Sequence, residues 1–133
     1  MKENIFSQPS WQPWGEDYTG SYEFTPHVDV IEGPLAYRLL LMIAGVEPDQ
    51  LTVEVDDNVL VLAGERRRPA LEHGELFARA ENHYGVFERR FILPDSADKN
   101  GVRARYEHGV LEVAIAKKAA GPARYIPVAG GDG

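Results

Sequence analysis

The sequence predicts an all-β fold, an antiparallel sandwich, and three observations carry the prediction. Short apolar runs succeed one another along most of the chain, several of them alternating apolar with polar residues in the two-residue period of a half-buried strand. Turn-forming Gly, Pro, Asn and Asp punctuate them, and no stretch shows a sustained helical repeat. The length, 133 residues, fits a single domain that hides about two-thirds of its unfolded surface.

Taken in order, residues 1–26 form an arm rather than a core element. Phe6, Trp11, Trp14, Tyr18, Tyr22 and Phe24 lie in it, interrupted by Pro9, Pro13, Gly15, Gly20 and Pro26 and following no period for long. Lys2 against Glu3, Glu16, Asp17 and Glu23 leaves the arm acidic, which keeps such a sticky surface soluble. Strand patterns begin with His27-Val28-Asp29-Val30, continue through residues 37–43, and alternate cleanly in Leu51-Thr52-Val53-Glu54-Val55. Asp56-Asp57-Asn58 reads as a hairpin turn, because Asp and Asn tolerate positive φ, and it leads into an antiparallel return over 59–63. Further strands are expected at 76–80, 84–93, 102–106 and 110–116, with breaks at Pro94-Asp95-Ser96 and His108-Gly109. Beyond Lys118 the chain becomes a Gly/Pro/Ala-rich extension, residues 119–133, in which Ile126 and Val128 flank Pro127 and have no apolar neighbours of their own.

Composition narrows the function. With 14 Lys+Arg against 21 Asp+Glu the formal net charge is −7, the wrong sign for a protein that neutralises many phosphates, so no nucleic-acid partner is expected. There is no cysteine for a disulfide, a thiolate metal site or a nucleophile. The first residues carry no signal-peptide pattern and no stretch is long and apolar enough for a membrane span, which leads to the expectation of a soluble, cytoplasmic protein.

The usual chemical motifs are missing. No Gly-Lys pair exists to end a phosphate-cradling loop, and neither the G-x-G-x-x-G fingerprint nor the G-x-S-x-G elbow occurs. His27, His73, His83 and His108 show no helical ligand spacing, and although His73 and His83 flank one loop, no metal site and no cofactor are expected. Asp56 and Asp57 are explained by the turn they make, and Arg66-Arg67-Arg68 reads as a solvated or ion-paired strand exit rather than a phosphate site. No catalytic residues emerge. What a plain domain leaves unexplained is the aromatic arm and the isolated Ile-Pro-Val, so function is expected in surfaces that bind chains.

At this point particular segments resemble a known family. Gly85-Val86-Phe87-Glu88-Arg89-Arg90-Phe91-Ile92-Leu93-Pro94 is similar to the G-x-F-x-R-x-F-x-L-P segment of the small heat-shock proteins, and Ala104-Arg105-Tyr106-Glu107-His108-Gly109-Val110-Leu111 resembles their A-x(4)-G-V-L segment. The hairpin from Val53 to Arg66 and the I-x-I/V-like Ile126-Pro127-Val128 fit the same family, whose shared unit is the alpha-crystallin domain. One departure is Ile43-Ala44-Gly45, where bacterial and plant members usually have L-P-G.

The resemblance implies an immunoglobulin-like sandwich over residues 27–118 between the arm and the extension, and ATP-independent holding of unfolding client proteins without a cofactor. It also implies a homodimer or a larger homo-oligomer. Dimers would form by exchange of Leu76, Phe77, Ala78, Arg79 and Ala80 onto His27, Val28, Asp29 and Val30 of a second subunit. A groove of Leu51, Val53, Val55, Val102, Ala104 and Tyr106 would accept the tail Ile126, Pro127 and Val128; the plainer alternative is that half of these side chains are ordinary core, since a strand alternates its faces. The six arm aromatics suit client contact, because large rings bury much area at low entropic cost and adapt to many partners, with packing on the chain's own domain as the alternative. Two other classes stay open: a binding module of the CS-domain co-chaperone type, and a hydrolase using the His and Asp residues.

Overall fold

The computed structural model describes residues 14–16, 23–119 and 126–130. Eight strands among them are β1 (Gly15–Glu16), β2 (Val28–Glu32), β3 (Ala36–Met42), β4 (Leu51–Asp56), β5 (Val59–Arg66), β6 (Gly85–Ile92), β7 (Ala97–Glu107) and β8 (Val110–Lys117). They pair antiparallel in two four-stranded sheets, of order β1-β6-β5-β4 and β2-β3-β8-β7. The fold is thus an antiparallel two-sheet sandwich of the all-β class the sequence predicts.

Alternation decides what each strand buries. Along β3, Tyr37, Leu39 and Leu41 are buried while Arg38 and Met42 face outward. The facing strand β8 buries Leu111, Val113 and Ile115, and register pairs Leu39 with Val113 and Leu41 with Leu111 on the same inner face. From the other sheet come Leu60 and Leu62 of β5 and Phe87 and Phe91 of β6, closed at the ends by Ile43, Val46, Leu93 and Ala97. No charged or polar residue is buried among the described residues, so the sandwich is held by apolar burial at about 1.5–3 kcal/mol for each large side chain before entropic cost.

The turns follow their residues. Asp56 pairs with Val59 across the β4–β5 hairpin, and Asp57 takes the positive φ of 55° that the Asp-Asn pair was expected to tolerate. His108 and Gly109 both have positive φ, 55° and 76°, which is the backbone of a two-residue I′ hairpin between β7 and β8. At Ile43-Ala44-Gly45, where a proline would stiffen the family turn, hydrogen bonds do the holding. Tyr106 Oη donates to the Ile43 carbonyl (2.9 Å) and Arg66 Nη1 donates to that of Ala44 (3.0 Å), while Gly45 takes φ +81°.

Two of the expected strands differ from the sequence expectation. Residues 76–80 form no strand, because among the described residues no edge lies alongside to complete a ladder; the whole stretch 67–83 is exposed, with a local turn in which Glu72 N–H donates to Glu75 Oε1 (2.6 Å). Strand β7 begins at Ala97 rather than 102, its turn-like Asp98-Lys99-Asn100-Gly101 carried by a register irregularity between the Ala97–Lys117 and Val102–Ile115 pairs.

Candidate functional site

Two sheets stacked face to face leave two open flanks, and the functional residues sort onto them. On one flank lie the edge strands β4 and β7. Lys99 Nζ reaches Asp57 Oδ1 (3.5 Å) at one end, and the Tyr106–Ile43 hydrogen bond ties the other, in the connection leading to β4. Leu51, Val53 and Val55 share the inner face with Leu62 and Leu60, and Val102, Ala104 and Tyr106 share it with Ile115, Val113 and Leu111. One strand inward Leu60, Leu62, Leu111, Val113 and Ile115 are buried; at the edge Leu51, Val53, Val55, Val102 and Tyr106 are half-buried against that core and Ala104 is exposed. The six residues expected to form a groove thus lie on the two edge strands of one flank, five of them packed in part against the core. Ile126 and Val128 are 68% and 92% exposed, so they do not fill the groove of their own chain.

The opposite flank lies between β6 and β2. Here the arm crosses. Gly15 and Glu16 pair with Ile92 and Phe91, and farther along Glu23 N–H donates to the Val86 carbonyl while Val86 N–H donates to Glu23 Oε1, both at 3.1 Å. Trp14 stands edge-on to Tyr37 (centroids 5.3 Å) and Phe91 (6.2 Å). Phe24 packs on Phe87 (5.4 Å) and stacks on His83 (6.3 Å), with the Arg66 guanidinium 4.9 Å from its ring centroid. Of the six arm aromatics, then, Trp14 and Phe24 pack against the chain's own core; Phe6, Trp11, Tyr18 and Tyr22 lie outside the described residues.

The expected dimer-forming residues are brought to the surface but not together. Strand β2 is the outermost strand of its sheet, with Val30 and Ile31 exposed along it. Leu71, Leu76 and Phe77 are exposed on the long β5–β6 loop. Residues of the Arg66-Arg67-Arg68 run each have a partner: Arg66 donates to the Ala44 and His83 carbonyls, Arg67 approaches Glu65 (3.6 Å), and Arg68 lies over Tyr84. Among the described residues no group of three or more metal-ligating side chains converges, and no helix is long and apolar enough to cross a membrane.

Sequence reasoning missed β1 and the Glu23 bridge. A two-residue strand carries no periodicity, and its partner is far away in sequence; the only available signal was the alternation Tyr22-Glu23-Phe24.

Comparison with known proteins agrees with this geometry. The model of the Hsp20/alpha crystallin family matches residues 29–129. The 19.0 kDa class II heat shock protein of Oryza sativa subsp. japonica is 49% identical over 89 residues, 62% of this chain and 51% of that protein. Small heat shock protein C2 of Rickettsia felis is 28% identical over 130 residues, 96% of this chain and 84% of that one. A crystal structure of a small heat-shock protein from Xylella fastidiosa, described as revealing a distinct high order structure, superposes with a TM-score of 0.72 at 40% identity, covering 81% of this chain and 99% of that one. The chain spans about half the length of the first plant relatives it matches.

Proposed function

The chain belongs to the Hsp20/alpha crystallin family, and from that membership together with its open surfaces we propose that it is an ATP-independent holdase that binds unfolding proteins and keeps them from aggregating. One observation carries the reading: the sandwich closes its own core yet leaves Leu71, Leu76, Phe77, Ile126 and Val128 exposed. A chain built only to fold would have little use for them; a chain that assembles and binds others needs them. The net charge of −7 supports it by keeping a loaded complex in solution.

In this reading Ile126 and Val128 enter the groove of a neighbouring subunit, with Pro127 holding the link extended so that both side chains project to one side. Residues 76–80 of the β5–β6 loop add to β2 of a second subunit, covering two exposed edges by one symmetric exchange. Phe6, Trp11, Tyr18 and Tyr22 offer aromatic surface to clients, while Trp14 and Phe24 pack against the chain's own core. The chain then works as a homodimer or larger homo-oligomer in the cytoplasm, with residues 1–26, 27–118 and 119–133 as arm, domain and extension and with neither catalytic residues nor a cofactor. The relatives reported above are small heat-shock proteins, so the co-chaperone alternative finds no support among them.

The test is capture. Heating a thermolabile enzyme with a near-equal amount of this protein, without nucleotide, should yield a soluble complex that co-elutes on size exclusion; elution of the two proteins apart, with the enzyme lost to precipitate, would refute the reading.

A further inference from the structure

The arm does more than run past β6, for it occupies two aromatic seats and gives that strand main-chain partners beside each of them. The Trp14 seat is made by Tyr37 and Phe91, and the Phe24 seat by Phe87 and His83 beneath the Arg66 guanidinium. Phe91 and Phe87 lie near opposite ends of β6, and the arm pairs with the edge at Ile92, Phe91 and Val86. A cavity of about 380 Å³ adjoins the second seat, lined by Phe24, Pro26, Met42, Ile43, Arg66 and His83.

We propose that the β6 edge with its two aromatic seats is a docking site for an extended, aromatic-bearing segment of an unfolding protein, held shut in the resting chain by its own arm. The inference rests on the client-binding reading above and gives that reading a place. Main-chain pairing along an edge accepts any extended sequence, while flanking pockets select the side chains that enter. An unfolding protein offers that combination of free backbone and uncovered rings. Arg66 over the ring favours an aromatic occupant of its seat over an aliphatic one.

The arm's hold is built to be exchanged. Its strand β1 is two residues long, Gly15 contributes no side chain, and the Trp14 indole Nε1–H is buried without an acceptor. An incoming segment that satisfies its own polar groups replaces a contact that does not. Trp14 and Phe24 are thus place-holders for the client's rings, in contrast to the other arm aromatics.

The chain has no cysteine, which makes the test clean. A Cβ built on Gly15 stands 3.9 Å from Ile92 Cβ, within the span of a disulfide. Gly15→Cys with Ile92→Cys, oxidised, should lose capture of a reduced and alkylated, permanently unfolded model protein severalfold and regain it on reduction. Trp14→Ala, which empties one seat, should raise capture. Oxidised protein that captures as well as reduced protein, or a Trp14→Ala variant that captures less, would overturn the proposal, the latter showing that the ring itself grips clients. An independent reading uses Trp11→Phe, which leaves Trp14 the sole tryptophan: its emission should shift to the red as the unfolded protein binds, and no shift at saturation overturns the exchange. Wild-type and reduced protein both inactive would instead refute client binding itself, so the two failures are distinguishable.

Discussion

Gly64 marks a tight approach inside the sandwich. A Cβ there would stand 2.6 Å from the Gln50 carbonyl oxygen and 2.7 Å from Phe87 Cζ, the first a backbone atom and the second a fully buried ring, and neither can give way cheaply. Gly64→Ala should therefore destabilise the domain by about 1–3 kcal/mol, as overpacking of a closed core does, measured as a lower denaturant midpoint with unchanged slope. Tyr106 is the corresponding polar point. Tyr106→Phe keeps the ring on the groove wall but removes the donor to the Ile43 carbonyl, and should cost about 1 kcal/mol in the same experiment. The two residues differ in how far the sequence exposes them. Tyr106 falls in an alternating run and is legible as a strand residue; its hydroxyl's acceptor, 63 positions away, is not. Gly64 looks like any glycine near a strand end until the ring beneath it is placed.

At the scale of elements, legibility followed locality. The β4–β5 hairpin is readable because alternation over 51–55, an Asp-Asn turn and an apolar return over 59–63 agree among neighbouring residues. Strand β7 reads short in the sequence, since Asp98-Lys99-Asn100-Gly101 has the composition of a turn and enters the strand only as the irregular stretch between the Ala97–Lys117 and Val102–Ile115 pairs. Residues 76–80 carry strand-forming side chains with no ladder, a conflict that a partner edge on β2 of another subunit would resolve. If so, deleting residues 72–80 should leave a folded monomer at low concentration by sedimentation or native mass measurement, and a dimer persisting there would refute the exchange. The tail makes a separate prediction. Each aliphatic side chain entering the groove contributes about 1.5–3 kcal/mol before ordering costs, and repetition around an oligomer multiplies weak contacts. Ile126→Ala with Val128→Ala should shift native mass toward dimers while the melting of the sandwich hardly moves, because both side chains are exposed and outside its core. An unchanged mass would confine assembly to the strand exchange.

For the whole molecule the organising feature is a closed core with two flanks, one crossed by the chain's own arm and one left uncovered by the described residues. The strands of the uncovered flank are legible from alternation and family motifs, and the groove expected between them stays a proposal. The cover on the other flank is not legible, since it joins Gly15 and Glu23 to strand β6 through pairings no local pattern announces. In the proposed reading both sides bind other chains. The central claim is accordingly tested by light scattering of a heat-denatured client with and without near-stoichiometric amounts of this protein, in buffer free of nucleotide. The account predicts scattering suppressed in proportion to added protein and unaffected by ATP; scattering that rises as it does without the protein would contradict it.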